Sequence, residues 1–423
     1  MSDGGIRRFR IAIIGGGLAG TTLANALINI PHLDINVYEA APEFSERGAA
    51  VGLSVNAQRA LGEIFPSASD ILKKAGAVRL NSVRFMSGSG PQAGSLAFDS
   101  TVSETTVVHR ASLLHELIAP LPQDILHASK KLASINATGG KSVELKFEDD
   151  MVEHFDAVIG ADGIFGSVRN HILGGDPKYG PTPAGFWDSR NLVSLEKAKA
   201  LLGAELFEAN RQYGWIVEGA FIMHDVIENG DLVHVVVSAP EKNPTPDRRQ
   251  DLTRELLSKT LAPCVGGPRA SFAEGVIEIS LNKDSPQIYS QWEHRSTPTY
   301  ANGPVCIMGD AAHATTPWQG SGAGMAIEDA MVLGTLLREA KSPEGIESAF
   351  KAFDIVRRPR CQRIIDSSSV TGLIMCGLGE GIGTDPKKLG EGLPPRWDFI
   401  LELDVAEHCA EALETMKKIM GDA

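Results

Sequence analysis

A strand that runs into a glycine-rich turn, two later apolar strands that each end in an aspartate turn, and a strand-rich middle segment predict an α/β fold. The expected architecture is a discontinuous Rossmann-like domain, a mostly β second domain and a C-terminal helical tail. Ile11 to Ile14 is a short apolar, partly β-branched run, the mark of a buried parallel strand. It leads into Gly15-Gly16-Gly17-Leu18-Ala19-Gly20, a match to G-x-G-x-x-G, and Thr21 to Ile30 then reads as a helix. Gly15 permits the tight turn, Gly17 lets backbone approach a pyrophosphate, and Gly20 lets helix and strand pack closely. The helix N-terminus behind them offers N–H groups and a positive dipole end to phosphates. Ile35 to Tyr38 is a second strand, and Glu39 ends it, 19 residues after Gly20. A carboxylate there accepts both hydroxyls of an adenosine ribose, so the whole unit points to a dinucleotide.

The remaining elements follow in order. Pro42 to Asn56 reads as a loop in which Gly48 and Gly52 mark a close approach. A helix is expected from Gln58 to about Ala75, then strands at Val78 to Met86 and Leu96 to Phe98. Thr105 to His109 is a strand, followed by Arg110 and a helix over Ala111 to Leu117. An arginine at that position reaches a phosphate bidentately or makes a surface ion pair. Val143 to Phe147 and Val152 to Phe155 read as a hairpin. Asp156 to Ala161 is a second apolar parallel strand, ending in Asp162-Gly163, with Ser167 and Arg169 beyond. Tyr179 to about Ser290 is strand-rich, with prolines at its rims, and reads as a sheet that roofs a pocket. Pro304 to Gly309 returns to a buried strand. Asp310, His313, Pro317-Trp318 and Gly320 to Gly324 lead into a long helix from about Met325 to Ala340. Pro343 to Ile365 continues as helix with the basic cluster Arg357-Arg358-Pro359-Arg360. Residues 372–395 read as loop, and Trp397 to Met420 as a final helix.

Composition narrows the partners. The chain has 423 residues, with 40 basic and 53 acidic side chains and a net charge of −13, which argues against nucleic acid or an anionic membrane. Five cysteines without a C-x-x-C pair and eleven histidines without ligand spacing suggest no metal site and a reducing, cytoplasmic setting. No window approaches 18 consecutive apolar residues, so no membrane span is expected.

Three motifs in this order, GGGLAG, GADGIFGSVR (Gly160 to Arg169) and MGDAAHATTPWQGSGAGMAIEDA (Met308 to Ala330), resemble the group A FAD-dependent monooxygenases. The nearest branch is the salicylate hydroxylase-like and fungal phenol-hydroxylating enzymes, and RRPRCQRIIDSS and RWDFILELD look like that branch too. The resemblance implies that Gly15, Gly17, Gly20 and Glu39 bind the ADP half of FAD, that Gly52 passes the flavin, and that Arg110 contacts the phosphate region. It puts Asp162 near the pyrophosphate, in a position to serve the nicotinamide cofactor as well, and Asp310 at the ribityl or pyrophosphate part. It places Pro317 over the flavin edge and sets the N–H groups of Gly322, Ala323 and Gly324 on the pyrimidine ring. It divides the chain into an FAD-binding domain of residues 1–77, 105–178 and 291–370, a substrate domain of 78–104 and 179–290, and a C-terminal loop and helix of 371–423. The reaction implied is reduction of FAD by NADH or NADPH, reaction with O₂ to a C4a-hydroperoxide, and hydroxylation of an aromatic or polyketide-like ring. A second G-x-G-x-x-G is missing, so the nicotinamide cofactor is expected as a transient co-substrate.

On the substrate side, GFWDSRNLV resembles a family strand whose arginine faces the pocket, which nominates Arg190. FIMHDVI occupies the place of a strand that usually carries Tyr-Pro, where Asp225-Val226 stand here, and His224 is adjacent. His224 and Asp225 are therefore the candidate acid/base groups, against the ordinary reading of a buried histidine as structural. Epoxidation of a terpenoid or prenyl double bond and a non-catalytic dinucleotide-binding regulator stay open at this point, as do monomer and homodimer.

Overall fold

The structure is a computed structural model that describes residues 8–45, 50–100, 104–137, 142–245 and 247–421. Gly48 lies outside the described residues. The N-terminal motif forms as its pattern requires, with a strand over Phe9–Ile14, a helix over Leu18–Leu27 and a second strand over Leu33–Tyr38. These strands sit in a six-stranded sheet ordered Ala301–Asn302, Val305–Ile307, Ala157–Gly160, Phe9–Ile14, Leu33–Tyr38, Leu126–His127. All neighbours are parallel except the first pair. Helices cover the sheet, so Ile11, Ala12 and Ile13 have no exposed surface. A three-stranded antiparallel sheet of Leu132–Asn136, Val143–Phe147 and Val152–Phe155 packs beside it and contains the expected hairpin.

An eight-stranded sheet carries the middle of the chain. Its order is Arg249–Asp251, Gln287–Glu293, Thr182–Ser194, Leu232–Pro240, Ala220–Ile227, Arg211–Val217, Ser82–Ser87, Leu96–Ser100. Helices Leu195–Leu202, Arg254–Leu261 and Phe272–Ser280 accompany these strands, and residues from them form one core cluster with Trp187, Trp215 and Val235 on one face. Phe85, Phe186, Phe221 and Trp318 cluster with residues near the C-terminus on the other. Both faces of the central strands are therefore buried, and Leu232–Pro240 and Ala220–Ile227 are buried along nearly their whole length.

Four expectations are corrected. The helix expected over Gln58 to Ala75 is two helices, Val55–Ile64 and Ala68–Lys74, because Pro66 lacks an N–H and holds Phe65 in an extended conformation. The strand expected over Val78 to Met86 splits. Val78–Arg79 pairs with Thr106–His109, whereas Ser82–Ser87 joins the large sheet, and the N–H groups of Leu80 and Asn81 bond to Thr105 and Asn210 at the crossover. The segment read as a loop over 372–395 begins inside a 33-residue helix, Pro343–Met375, and contains a further helix, Pro386–Gly392. The final helix is two, Pro395–Leu401 and Val405–Gly421.

Candidate active site

Three strands adjacent in the parallel sheet, Val305–Ile307, Ala157–Gly160 and Phe9–Ile14, each release a turn at the carboxyl edge. The turns are Gly309–His313, Asp162–Gly166 and Gly15–Gly20. The chain builds outward from Phe9–Ile14 on one side and later returns to its other side. Such a reversal opens a ligand crevice at the strand ends.

Gly15 is required twice over. Its φ is +111°, and a Cβ there would lie 2.2 Å from the Ala161 carbonyl oxygen. A Cβ on Gly20 would lie 1.9 Å from the Gly15 oxygen, so helix and turn are in backbone contact. Gly17 stands at the helix N-cap with no side-chain cap, which leaves first-turn N–H groups for a ligand. The Glu39 carboxylate accepts from the N–H of Gly16 at 2.8 Å and of Ala41 at 2.8 Å, tying the second strand to the turn.

Asp162 caps the helix Ser167–Ile172 by accepting from the Val168 N–H at 3.1 Å. Its other oxygen is buried with no hydrogen-bond partner among the described residues, and burial pushes its pKa up. An orphaned carboxyl oxygen at this edge suits a hydroxyl-bearing ligand, and the glycine turn beside it suits a pyrophosphate. Arg169 is 2% exposed and donates to the carbonyl oxygens of Ala311 and Ala312, both at 3.0 Å, so the second and third turns are braced together.

Behind the third turn lies an ionic network that the sequence reading did not find. Gly309 has a φ of +57°, and its N–H donates to Asp329 at 2.9 Å. The same carboxylate pairs with His313 at 2.5 Å and Arg357 at 2.8 Å. Arg357 also pairs with Glu328 at 2.7 Å, and Glu328 further binds Arg360 and the Asn56 amide. His313, Asp329 and Cys361 have the spacing of a metal site, but the cation among them is the Arg357 guanidinium, which donates to Asp329 and Cys361. Burial alone would raise the Glu328 and Asp329 pKa values. Arg357 and Arg360 instead pull Glu328 down to about 2, and His313 and Arg357 do the same to Asp329.

Depressed carboxylates contribute stability above the unfolded carboxylate pKa, near 4, and lose it as pH falls toward 2. Acid titration followed by circular dichroism should show stability declining over this interval. In Glu328→Gln the slope there should fall by about 1.4 kcal/mol per pH unit, the contribution of one proton. An unchanged slope would mean that Glu328 is not ionised in the native state.

Asp310, exposed, follows Gly309 in the third turn, and Pro317, also exposed, begins the short helical turn Pro317–Gln319. Helix Gly322–Glu339 follows without a side-chain cap. A Cβ on Gly322 would meet only the Thr315 methyl at 3.8 Å, whereas one on Gly324 would come within 3.3 Å of Ala57. Ala323 is half-buried between them. Gly52 belongs not to a loop but to a strand, Ala50–Leu53, that pairs with Thr106–His109 and places Gly52 opposite Val107. Arg110 begins the helix Arg110–Ile118 directly after that partner strand.

The large sheet separates the other candidates. Register puts Phe186, Asp188, Arg190, Val236, Met223, Phe221 and Asp225 on one face, which Trp318 abuts through Phe186 and Phe221. Arg190 donates to Asp188 at 2.9 Å, with 35% of its side chain exposed. Asp225 is buried, accepts from Gln212 at 2.9 Å and lies 3.3 Å from His234. His224 points to the opposite, helix-backed face, stacked on Tyr213, where its Nε2 accepts from Trp215 at 3.3 Å. Burial pushes its pKa down to about 4 despite Asp225, so the ring is neutral. His224 and Arg190 are thus not brought together.

Crevice, glycine turn and capless helices mark a dinucleotide-binding protein. Comparison with known proteins extends this. A family model described as an FAD binding domain matches residues 219–368. The chain is 33% identical over 428 residues to 6-methylsalicylate 1-monooxygenase atA of Aspergillus terreus, covering 98% of this chain and 93% of the relative. It is 30% identical to a salicylate hydroxylase of Pseudomonas putida, covering 95% and 94%. A solved salicylate hydroxylase substrate complex superposes with a TM-score of 0.81 over 96% of this chain and 98% of that one, at 24% identity, which is a likeness of fold. The chain belongs to the FAD-dependent aromatic monooxygenases, oxidoreductases that use NAD(P)H as co-substrate. Among the described residues no helix is long and apolar enough to cross a membrane.

Proposed function

We propose that the substrate is a phenol bearing an anionic group, of the salicylate type, and that Arg190 receives the anion. The observation that carries this reading is an arginine with 35% of its side chain exposed, on a sheet face shared with Phe186, Phe221 and Met223. Asp188 holds one edge of the guanidinium, leaving N–H donors in a fixed plane for a carboxylate or phenolate. The aromatic residues supply the apolar walls for a ring. Both relatives named above act, by name, on salicylates.

In the same proposal Gly15, Gly17 and Gly20 give the pyrophosphate its backbone bed, and Glu39 accepts ribose hydroxyls on its remaining lone pairs. Arg110 reaches a phosphate, and Asp162 and Asp310 take hydroxyls of the linker. Gly52 leaves space beside the ring system, Pro317 covers its edge, and Gly322 to Gly324 present N–H groups that favour negative charge on the pyrimidine side. When bound and reduced by NAD(P)H, FAD supplies the activation of O₂ that puts one oxygen atom on the substrate ring. The protein's part is to orient the ring from Arg190, exclude water and stabilise charge through the helix N-terminus. His224 serves as a core residue of the sheet, and Asp225 holds the Gln212 amide. The two-domain division at residues 78–104 and 179–290, a cytoplasmic setting and a monomer or homodimer complete the proposal.

A ligand screen tests it. NAD(P)H oxidation should be slow alone and stimulated more by hydroxybenzoates than by the same phenols without a carboxylate. In Arg190→Lys, which keeps charge but loses the planar fork, the apparent affinity for the hydroxybenzoate should fall about tenfold or more at normal FAD content. Equal stimulation by both ligand sets, with unaltered affinity in the variant, would remove Arg190 from substrate recognition.

A further inference from the structure

The helix Pro395–Leu401 and the turn Pro317–Gln319 are stapled to each other by two reciprocal hydrogen bonds. The Gln319 amide donates to the Arg396 carbonyl at 2.7 Å, and the Trp397 indole N–H donates to the Gln319 carbonyl at 3.2 Å. Gln319 is 3% exposed, so both bonds are shielded from water on its side. The helix is itself anchored. Arg396 donates to the Thr371 hydroxyl at 2.6 Å and to the Ser367 carbonyl at 2.8 Å, both on the long helix Pro343–Met375.

Trp397 also reaches the substrate sheet. Its ring lies 6.4 Å from Phe85, which stacks on Phe98 at 4.7 Å and neighbours Phe221 at 6.1 Å. Phe221 in turn meets Trp318, the residue between Pro317 and Gln319, at 5.9 Å. An aromatic arc thus runs from Trp397 across the sheet face and back to the turn whose carbonyl Trp397 holds.

We propose that Trp397 is a positioning residue for the oxygen-transfer step: it pins the Pro317–Gln319 turn to the sheet-side aromatics, closing the space between the turn and the sheet to water. This rests on the placement of Pro317 to Gly324 against FAD given above. In the coupled reaction the ring gains one oxygen atom while NAD(P)H, a proton and the other oxygen atom end as NAD(P)⁺ and water. If water enters or the ring is misplaced, the same two electrons and O₂ leave as H₂O₂, and the ring is unchanged.

The test uses the FAD-loaded protein and Trp397→Phe, which keeps an aromatic ring and deletes the N–H donor. The share of NAD(P)H oxidation that ends as H₂O₂ in the presence of a stimulating hydroxybenzoate should rise about three- to tenfold, the effect of one lost hydrogen bond. The visible absorption band of bound flavin should shift, while the FAD dissociation constant, titrated with apoprotein, stays within about threefold. Gln319→Leu, which deletes the other half of the staple, should reproduce the uncoupling, and it stands in if Trp397→Phe does not fold. The double variant should be no worse than the more affected single one. Unchanged coupling and an unshifted flavin band in both single variants would overturn the proposal. Failure of the underlying FAD placement is read separately, from whether Gly322→Val still retains FAD.

Discussion

Arg357→Met is expected to cost about 3–5 kcal/mol of unfolding free energy, the range for removing one partner of a buried ion pair. That is a large fraction of the about 5–15 kcal/mol that holds a typical domain folded. Arg357 has no exposed surface and serves Glu328, Asp329, the Met325 carbonyl and Cys361 at once. Its loss leaves two carboxylates buried, with Arg360 beside Glu328 and His313 beside Asp329 as the cations paired with them among the described residues. The effect should be larger with FAD present, because Asp329 also holds Gly309 and His313 in the third turn. Arg357→Lys should recover part of the loss, since it restores charge without the fork that reaches both acids. Urea unfolding with and without FAD measures this. A change below about 1 kcal/mol in Arg357→Met would show that the network is not a support of the fold.

Gly322→Val is expected to yield folded protein that has lost FAD. The position has an ordinary backbone conformation, and a Cβ there would touch only the Thr315 methyl, at 3.8 Å. The branched side chain would instead stand where the helix N-terminus presents its N–H groups. Loss of about a hundredfold or more in FAD affinity is expected when close approach is blocked, with the far-UV circular dichroism of the apoprotein unaltered. Gly324→Ala behaves differently, because its Cβ would press on Ala57 and loosen helix packing. Retained FAD in Gly322→Val would place the flavin elsewhere.

The dinucleotide unit was legible because it is local: strand, glycine turn, helix and acid follow one another in Phe9 to Glu39. The places of Asp162 and Asp310 were legible for a similar reason, as acids beside glycine at the ends of apolar strands. The network was not, since Asp329 and Arg357 lie on different helices and meet only in three dimensions. The available signal was two acids within the apolar run Met325 to Leu333, which demand buried cations. Nor could alternation in Phe221 to Ile227 decide between His224 and Asp225, because nearly every residue of that strand is buried and neither face is marked by polarity. The hidden helix at Pro386 had a signal in Asp385, which caps it by accepting from the Lys388 N–H. The run of glycines at 377, 379, 381 and 383 outweighed it in the reading.

Insertion of one atom of O₂ into an aromatic ring is followed by isotopic labelling. The FAD-loaded protein is given NAD(P)H, the hydroxybenzoate that stimulates it best, and ¹⁸O₂ in ordinary water, and the product is analysed by mass spectrometry. One ¹⁸O atom is expected in the new ring hydroxyl, and none when the label is supplied as water. A product whose new oxygen comes from labelled water would contradict insertion from O₂.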